Sequence, residues 1–307
     1  MHIPVLLKPI LEILKEKKDL TIIDGTFGQG GYSREFLEMG HKVIAFDRDP
    51  EAEKVAAEFK AHYGDRFIFH RAEFSKIDQY ITEPVDIVVF DLGVSSPQID
   101  QPERGFSVRF DGPLDMRMSQ TGMSAQEVVN TYSAEKLADI IYTYGEDRDS
   151  RRIARLIVKA REINPIKTTL ELSKIIIKVN PNPKKAFDSV IRAFQAIRIY
   201  VNNELEELEK GLNAAGKVLN FEGLLMVVSF HSLEDRIVKD FVKKASGPLS
   251  PSRYAPIPQG SPAKFQSFGR NIITPDENEL HENPRSRSAK LRVAIRTDVP
   301  WEQEKSG

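Results

Sequence analysis

The chain has 307 residues, of which 40% are hydrophobic, and its 44 basic and 45 acidic residues give a formal net charge of −1. This length suits one or two domains, and the hydrophobic fraction excludes a largely disordered chain. Because cysteine is absent, disulfides, thiol nucleophiles and cysteine-ligated metal sites are excluded. The sequence shows neither an apolar run of membrane-spanning length nor the form of a signal peptide, so we expect a cytoplasmic protein.

The nearly neutral net charge conceals an uneven distribution of charge along the chain. Residues 148–198 contain 13 basic and 4 acidic side chains, and residues 243–296 contain 10 basic and 4 acidic ones. The rest of the chain is therefore acidic. Two basic segments indicate contact with a polyanion, although cationic helices that merely face solvent produce the same pattern.

The first hundred residues alternate between short apolar runs and helix-forming segments. The pattern predicts strands at 20–24, 42–47, 67–70 and 85–91, and helices at 34–39 and after Pro50. The fourth strand is apolar almost throughout, as expected for a strand covered on both faces. Repeated strand–helix–strand units predict an α/β fold with a parallel, doubly wound sheet.

The pattern changes after about residue 103, where helical segments replace strands. Apolar residues at helical spacing predict a helix through Val201, Leu205, Leu208 and Leu212. Strand character returns at 223–230 and again at 291–296, where the alternation indicates an antiparallel strand.

These changes predict one discontinuous α/β domain interrupted by a helical insert. The α/β domain is predicted to comprise 1–105 and 213–307, and the insert 106–212. A segment rich in proline and serine, 247–262, is predicted to be a mobile loop.

A glycine-rich turn, DGTFGQGGYS (24–33), follows the first predicted strand. Gly28 and Gly30 fit two positions of the dinucleotide-binding fingerprint, but Ser33 stands where the third glycine belongs. Asp24, at the strand end before the glycines, instead favours the nucleoside-binding loop of enzymes that use S-adenosylmethionine (SAM). A glycine-rich turn also occurs as a purely structural feature.

An acidic residue, Asp47, ends the second predicted strand. At this position a carboxylate can accept hydrogen bonds from both ribose hydroxyls of a bound nucleoside, in NAD and SAM alike. The alternative for Asp47 is a helix cap, a role that Asp49 can also fill. Phe74, after the third strand, is a candidate for packing against adenine, although a lone phenylalanine more often belongs to the core.

A polar loop that contains proline, DLGVSSPQ (91–98), follows the fourth predicted strand. Methyltransferases that act on amino groups have such a loop at this place, facing the methyl group. The exocyclic amine of cytosine is a weak nucleophile because its lone pair is delocalised into the ring. A carboxylate or carbonyl that accepts its N–H bonds localises that pair, and Asp91 is the candidate for this role.

The chain resembles the bacterial 16S ribosomal RNA (cytosine-N4)-methyltransferase family, of MraW type, over nearly its full length. The motifs that carry the resemblance are HIPVLL (2–7), DGTFGQGG (24–31), AFDRDP (45–50), DLGVSSPQ (91–98), ERGFS (103–107), DGPLDMRM (111–118), FQAIRIYVNNELEELE (194–209), SFHSLEDRIVK (229–239) and ENPRSRSAKLR (282–292). The resemblance implies a Rossmann-like class I SAM methyltransferase sheet with a helical insertion domain. It also implies methylation, with SAM, of the N4 amine of a cytidine in the decoding region of 16S rRNA.

The resemblance further implies which residues hold SAM. The positions that match the family's SAM-binding residues are Gly30, Gly31, Tyr32, Asp47, Phe74, Asp91 and Gln98. Tyr32 replaces the family's usual histidine, so no imidazole is available there, whereas backbone contacts from this loop survive the change. Ala193 replaces a common threonine, which removes a hydroxyl contact.

His231, after the fifth predicted strand, is a second catalytic candidate that can bond the target base or a phosphate. A histidine at a strand end is, however, more often structural. Ser232 is the expected cap of the next helix, with Asp235 nearby. The spacing of the 6 histidines predicts no metal site.

Cations in the two basic segments are predicted to contact phosphates of RNA. They are Arg148, Arg151, Arg152, Arg155 and Lys159 in the insert, and Arg285 and Arg287 near the end. The expected partner is 16S rRNA or the small ribosomal subunit, with neither DNA nor membrane expected and no prediction for the oligomeric state. A small-molecule SAM methyltransferase and a non-catalytic rRNA-binding assembly factor stay open as alternatives, and an NAD-dependent dehydrogenase is the weakest.

Overall fold

The computed structural model describes residues 4–246, 262–269 and 272–301. Contacts between residues divide the chain into two compact units. The first unit combines the described residues up to Gly93 with those from Leu205 onward, and the second is Val94–Glu204. These divisions fall earlier in the chain than the predicted boundaries at 105/106 and 212/213.

The first unit contains a seven-stranded sheet among its described residues. Its strands are β1 (Thr21–Asp24), β2 (Lys42–Asp47), β3 (Phe67–Arg71), β4 (Val85–Asp91), β5 (Leu219–Ser229), β6 (Phe265–Ser267) and β7 (Lys290–Arg296). The strand order is β3-β2-β1-β4-β5-β7-β6. The first five strands are parallel, whereas β7 runs antiparallel to both of its neighbours, β5 and β6.

Helices occur in both units. In chain order they are α1 (Leu7–Leu14), α2 (Gly31–Glu38), α3 (Ala52–Tyr63), α4 (Ile77–Tyr80), α5 (Ser96–Asp100), α6 (Ala125–Thr131), α7 (Ala134–Gly145), α8 (Ser150–Arg161), α9 (Thr169–Ile176), α10 (Pro183–Asn202), α11 (Glu204–Val218), α12 (Ser232–Ala245) and α13 (Glu277–Glu282). The predicted α/β class with a helical insert is confirmed. None of the helices in the described ranges is long and apolar enough to cross a membrane.

Apolar side chains cover both faces of the sheet, which explains the apolar runs of its inner strands. Successive strand residues enter different clusters: Ile22 and Ile87 join one cluster, and Ile23 and Val88 join the other. Side chains alternate between the faces of a strand, so a strand buried on both faces must be apolar at consecutive positions.

The helix predicted to run through residues 201–212 is interrupted. Asn203 has a φ of 51°, in the left-handed region that asparagine tolerates better than most residues, and it separates α10 from α11. Leu208 and Leu212 on α11 are buried in a cluster with residues of the sheet. This burial explains why α11 belongs to the first unit, contrary to the predicted boundary at 212/213.

The second unit has a core of its own, to which α6, α7, α8, α9 and α10 all contribute. Ala193, one of the two departures from the family's pattern, is completely buried in this core on α10. An isolated bridge between Pro113 and Thr168 ties the loop before α6 to the start of α9. The predicted mobile segment 247–262 lies, apart from Pro262, outside the described residues.

Candidate functional site

Three parallel strands end in aspartates at the same edge of the sheet. Asp24 ends β1, Asp47 ends β2 and Asp91 ends β4. In the strand register, Asp24 is level with Ala45 and Val89, so the other two aspartates stand two residues further along. The carboxyl edge of an open α/β sheet is where such folds bind ligands.

The loop between β1 and α2 requires glycine for two reasons. Gly28 and Gly30 have φ values of 51° and 71°, which residues other than glycine rarely adopt. A Cβ atom on Gly30 would also collide with the rings of Phe27 and Phe59. The backbone therefore turns closely before α2, and the N–H groups of Phe27, Gly28 and Gly30 are hydrogen-bonded within the protein.

Asp47 ties the second strand to this glycine loop. Its Oδ2 accepts a hydrogen bond from the Gly28 N–H at 2.7 Å, and its Oδ1 accepts one from the Asp49 N–H at 2.8 Å. Burial raises the pKa of Asp47, although these two hydrogen bonds oppose the shift. Each carboxylate oxygen keeps a second lone pair, so the group can still accept hydrogen bonds from a ligand.

Asp24 lies beneath the same loop and is almost completely buried. It accepts hydrogen bonds from the Ser33 hydroxyl at 2.7 Å and from the Thr26 N–H at 3.2 Å. Burial raises the pKa of Asp24 from 3.8 to about 6, and the nearby charge of Asp47 acts in the same direction.

Of the three strand-end aspartates, Asp91 has the fewest hydrogen bonds to its carboxylate among the described residues. Its backbone N–H donates to the Thr26 hydroxyl at 2.7 Å, which fixes the end of β4 against the turn after β1. The Oδ1 atom is buried and has no hydrogen-bond partner among the described residues. Burial, followed by the charges of Asp24 and Glu234, raises the pKa of Asp91 well above 3.8.

His231 caps the helix that follows β5. Its Nδ1 accepts a hydrogen bond from the Glu234 N–H at 3.4 Å, and its Nε2 lies 3.1 Å from the Oε1 of Glu234. The Oε2 of Glu234 accepts from the N–H groups of Phe230 and His231. The predicted cap, Ser232 with Asp235, is therefore wrong: His231 and Glu234 form the capping box of α12.

The cap also limits what His231 can do. Only 10% of its side chain is exposed, its Nδ1 is engaged by the Glu234 N–H, and its buried Nε2, although 3.1 Å from Glu234 Oε1, makes no hydrogen bond with the described residues. Asp235, in turn, pairs with Lys290 at 3.0 Å and with Arg292 at 2.8 Å. A catalytic role for His231 stays a prediction.

Two predicted cofactor residues are aromatic, and they occupy different surroundings. The ring of Tyr32 is buried in the core and its hydroxyl donates to the carbonyl of Val5, so its side chain is already engaged. Phe74 is half-buried, and its ring centroid lies 4.8 Å from that of Phe90. The side chain of Tyr32 is therefore engaged within the core, whereas part of the Phe74 ring stays exposed.

Gln98 belongs to the second unit, where it is buried at the start of α5. Its Oε1 accepts a hydrogen bond from the Ser95 N–H at 3.0 Å as part of a capping box. This arrangement fixes the DLGVSSPQ motif locally as a turn followed by a short helix.

The predicted phosphate-binding cations are exposed. Arg151, Arg152, Arg155 and Lys159 face solvent on α8, which buries Ile153 and Ile157 on its other side. No ion pair involves these four side chains within the described part of the chain. Arg148, just before α8, and Arg285 and Arg287 in the first unit are also exposed.

Sequence reasoning missed the supporting residues of the candidate site. Thr26 and Asp24 belong to the glycine-rich motif, whose pattern alone does not mark either of them as a site residue. Glu234 was also overlooked, although it stands three positions after His231, the spacing of a capping box. That spacing indicates a capping box, but histidine is not one of the residues that commonly cap a helix.

Comparisons with known proteins place the chain in a family. Residues 1–297 match the model of the MraW methylase family. Relatives named Ribosomal RNA small subunit methyltransferase H include one from Cereibacter sphaeroides, 53% identical over 302 residues, covering 97% of this chain and 91% of the relative. Another, from Caulobacter vibrioides, is 49% identical over 306 residues, covering 98% of this chain and 97% of the relative.

The sheet order, with β7 as the reversed strand beside β5, is that of the class I SAM-dependent methyltransferases, whose methyl donor is SAM. The family match covers both compact units, from the glycine loop to the end of β7. The chain therefore belongs to the MraW methylase family.

Proposed function

We propose that this protein transfers the methyl group of SAM to the N4 amine of a cytidine in the decoding region of 16S rRNA. The observation that carries the proposal is Asp91, whose buried Oδ1 accepts no hydrogen bond from the described residues. A buried polar atom without a partner is costly, and it is typical of a group that acts on a bound ligand. Relatives named Ribosomal RNA small subunit methyltransferase H support the class of substrate.

The residues at the carboxyl edge of the sheet fit SAM. Gly30 and Gly31 let the loop pack closely on the side chains beneath it, because a Cβ atom at either position would overlap Phe27 and Phe59 or Pro4. Asp47 has free lone pairs for the ribose hydroxyls, and Phe74 offers an apolar surface for adenine. In this assignment Tyr32 contributes its backbone only, and Gln98 helps to shape the loop after β4.

Asp91 can activate the amine once SAM is bound. When bound, SAM supplies a methyl group on a positively charged sulfur. A positive charge near Asp91 favours its ionised form and so opposes the burial that raises its pKa. The ionised carboxylate would then accept an N–H bond of the cytosine amine, which would localise the lone pair on N4. The same carboxylate would take up the proton that N4 loses as the N–C bond forms and the sulfur–methyl bond breaks, with neutral S-adenosylhomocysteine as the leaving group.

Thr26 and Glu234 act on Asp91 in different ways in our proposal. Thr26 fixes the backbone of Asp91, and burial, followed by the negative charges of Asp24 and Glu234, raises the pKa of Asp91. His231 acts as a positioning residue, since its ring and backbone fix Glu234. Correct placement of the N4 amine against the methyl carbon supplies the remainder of the rate acceleration of methyl transfer.

The exposed cations of α8 support an RNA substrate. Arg151 and Arg152 stand in the first turn of α8, where positive charge opposes the helix dipole and lowers stability. Their position is therefore unfavourable for the helix and favourable for contact with a polyanion. A small-molecule methyltransferase has no use for such a surface, and a non-catalytic assembly factor has no use for the Asp91 environment.

The experiment that tests the proposal uses labelled SAM and small ribosomal subunits from cells that lack the modification. The subunits are incubated with the protein, the RNA is digested, and the labelled nucleoside is identified by mass spectrometry. We expect N4-methylcytidine at a single site. Naked 16S rRNA and free cytidine are parallel substrates, and the Asp91→Asn variant is the catalytic control.

The outcomes separate the three classes of function. Label in a low-molecular-weight acceptor, but not in RNA, would favour the small-molecule enzyme. RNA binding without any transfer, despite measurable SAM binding, would favour the assembly factor. A methylated base other than N4-methylcytidine would contradict the proposed atom while preserving the methyltransferase.

A further inference from the structure

The second unit presents an aromatic side chain to solvent at the end of a loop, residues 107–112. Phe110 is 54% exposed, although it is followed by the DGPLDMRM motif, most of whose apolar residues are buried. Arg109, its neighbour, is also exposed and takes part in no ion pair among the residues that the structure describes. Single exposed apolar residues are common, so exposure alone carries no conclusion.

Hydrogen bonds on both sides hold this loop in one conformation. The hydroxyl of Ser107, itself buried, accepts the N–H groups of Arg109 and Phe110, each at 3.1 Å. The buried Thr169 donates its hydroxyl to the Phe110 carbonyl at 3.0 Å and accepts the Gly112 N–H at 3.3 Å. The backbone around Phe110 is therefore satisfied within the unit.

The base of the loop is also closely packed. A Cβ atom on Gly112 would collide with the carbonyl oxygen of Pro102, and the Asp111 carboxylate accepts the Leu170 N–H at 3.2 Å. Hydrogen bonds to Thr168 and Leu170 lower the pKa of Asp111, so its charge is engaged by α9. The loop thus fixes its acidic residue and leaves its cation and its aromatic ring to solvent.

The nearby Phe106 shows the more common arrangement of an aromatic side chain, which is packing against the core. It is half-buried, packs against the core of the unit, and lies 5.9 Å from the Arg104 guanidinium. Among the described residues, Phe110 has neither kind of contact. An aromatic ring held rigidly at the surface beside an unpaired arginine matches the chemistry of single-stranded nucleic acid, whose bases stack and whose phosphates are anionic.

We propose that Arg109 and Phe110 form a binding site for single-stranded RNA, in which a base stacks on the Phe110 ring and Arg109 contacts the adjacent phosphate. This inference rests on the proposed rRNA substrate and names a contact outside the methyl-transfer site. The fixed loop lowers the entropic cost of binding, because little further ordering is needed. Stacking tolerates any base, so the site contributes affinity and placement rather than sequence specificity.

The test measures binding of a fluorescein-labelled 12-nucleotide single-stranded RNA and of the same sequence as a duplex. Phe110→Ala should weaken single-strand binding by about 5- to 150-fold, the usual effect of removing one stacking ring. Phe110→Tyr should restore binding, because its ring also stacks. Phe221→Ala is the matched control, since Phe221 is 63% exposed in the first unit, and it should change nothing.

A second readout separates stacking from charge. Arg109→Gln should reduce the slope of log affinity against log salt by about 0.7, the value for one phosphate contact in a single strand, whereas Phe110→Ala should leave that slope unchanged. An RNA with one 2-aminopurine should be quenched by the wild-type protein and by Phe110→Tyr, but not by Phe110→Ala. SAM affinity and thermal unfolding should be the same in all variants.

Three results would overturn the inference: wild-type affinity in Phe110→Ala, equal losses for single strand and duplex, or failure of Phe110→Tyr to restore binding. Failure of the proposed function looks different. In that case the wild-type protein labels no small-subunit RNA, whatever the oligonucleotide experiments show. If the wild type methylates the subunit and Phe110→Ala binds the single strand normally, only the present inference fails.

Discussion

The two compact units place their polar residues in opposite ways. The first unit buries acids at the ends of β1 and β4, where Asp24 and Asp91 experience a low dielectric and altered pKa values. The second unit also buries a few polar side chains, such as Arg104 and Asp147, but the cations of α8 and Arg109 are exposed. Burial of the two acids shifts their pKa values and lowers the stability of the first unit. The exposed cations of the second unit attract anions, and salt screens that attraction.

The effect of a charged side chain in this protein therefore depends on whether it is buried or exposed. An acid in the first unit affects the protonation of its neighbours over a few ångströms. A cation in the second unit adds to a field that a polyanion senses at longer range. Substitutions in the two units should therefore give different experimental signatures, and the following predictions use that difference.

The largest expected effect is on catalysis in the first unit. Asp91→Asn should lower the single-turnover rate of methyl transfer at saturating SAM by about 10²- to 10⁴-fold, the range of general base catalysis. Its free energy of unfolding should stay equal or rise, because a buried carboxylate without a partner is replaced by a neutral group. Asp65→Asn, at an exposed acid, is the control. Full activity in Asp91→Asn would refute the role.

The next effect concerns the glycine loop. Gly30→Ala should lower the free energy of unfolding by about 2–5 kcal/mol, from about 1–2 for the left-handed backbone and the rest for overlap with Phe27 and Phe59. Gly40→Ala, with φ of 93° but nothing within 4 Å of the new Cβ, should cost only about 1–2 kcal/mol. Urea denaturation measures both. Equal losses would mean that packing around Gly30 does not matter.

A smaller effect follows from the buried charge of Asp24. Its pKa is about 6 in the folded protein and 3.8 as an ordinary value, so the folded state binds the extra proton between these pH values. Stability is therefore highest below about pH 4 for this group and falls as pH rises through about 6, by about 3 kcal/mol. Wild type and Asp24→Asn are compared by urea denaturation from pH 4 to 7. Parallel pH profiles would contradict the assignment.

The smallest change in the free energy of unfolding is expected in the second unit, and it is an increase rather than a decrease. Arg151→Gln with Arg152→Gln should raise stability by about 0.3–1 kcal/mol, because both cations oppose the dipole of α8. The same change should weaken RNA binding and reduce its salt slope by about 1.5. Lys54→Gln with Lys60→Gln removes as much charge from ion-paired residues and serves as the control. An unchanged salt slope would show that α8 does not contact RNA.

Sequence patterns predicted the inner strands best. The bounds 42–47 and 85–91 agree with β2 and β4, because strands covered on both faces are marked by apolar runs. The alternation at 291–296 correctly indicated the antiparallel β7. The start of β5 was missed, since it includes the exposed Phe221 and a positive φ at Glu222. The three-residue β6 was not predicted at all, because so short a strand has no recognisable period.

The helical segments show a different limit. The apolar spacing continues from Val201 to Leu212 without any sign of the break at Asn203. Periodicity reports which side of a helix is apolar, but it does not report which core that side enters. The assignment of α11 to the first unit therefore needed the packing of Leu208 and Leu212 beside the sheet.

By itself, the sequence determined the α/β class, the strand-end aspartates, the basic insert and the family, because these depend on local pattern and on motifs in a fixed order. Only the tertiary structure decided the state of those residues. The support of Asp91 by Thr26 joins positions far apart in the chain, and the cap formed by His231 depends on where Glu234 is buried. Burial and hydrogen-bond partners set a pKa and a role, and both arise only when distant segments pack together.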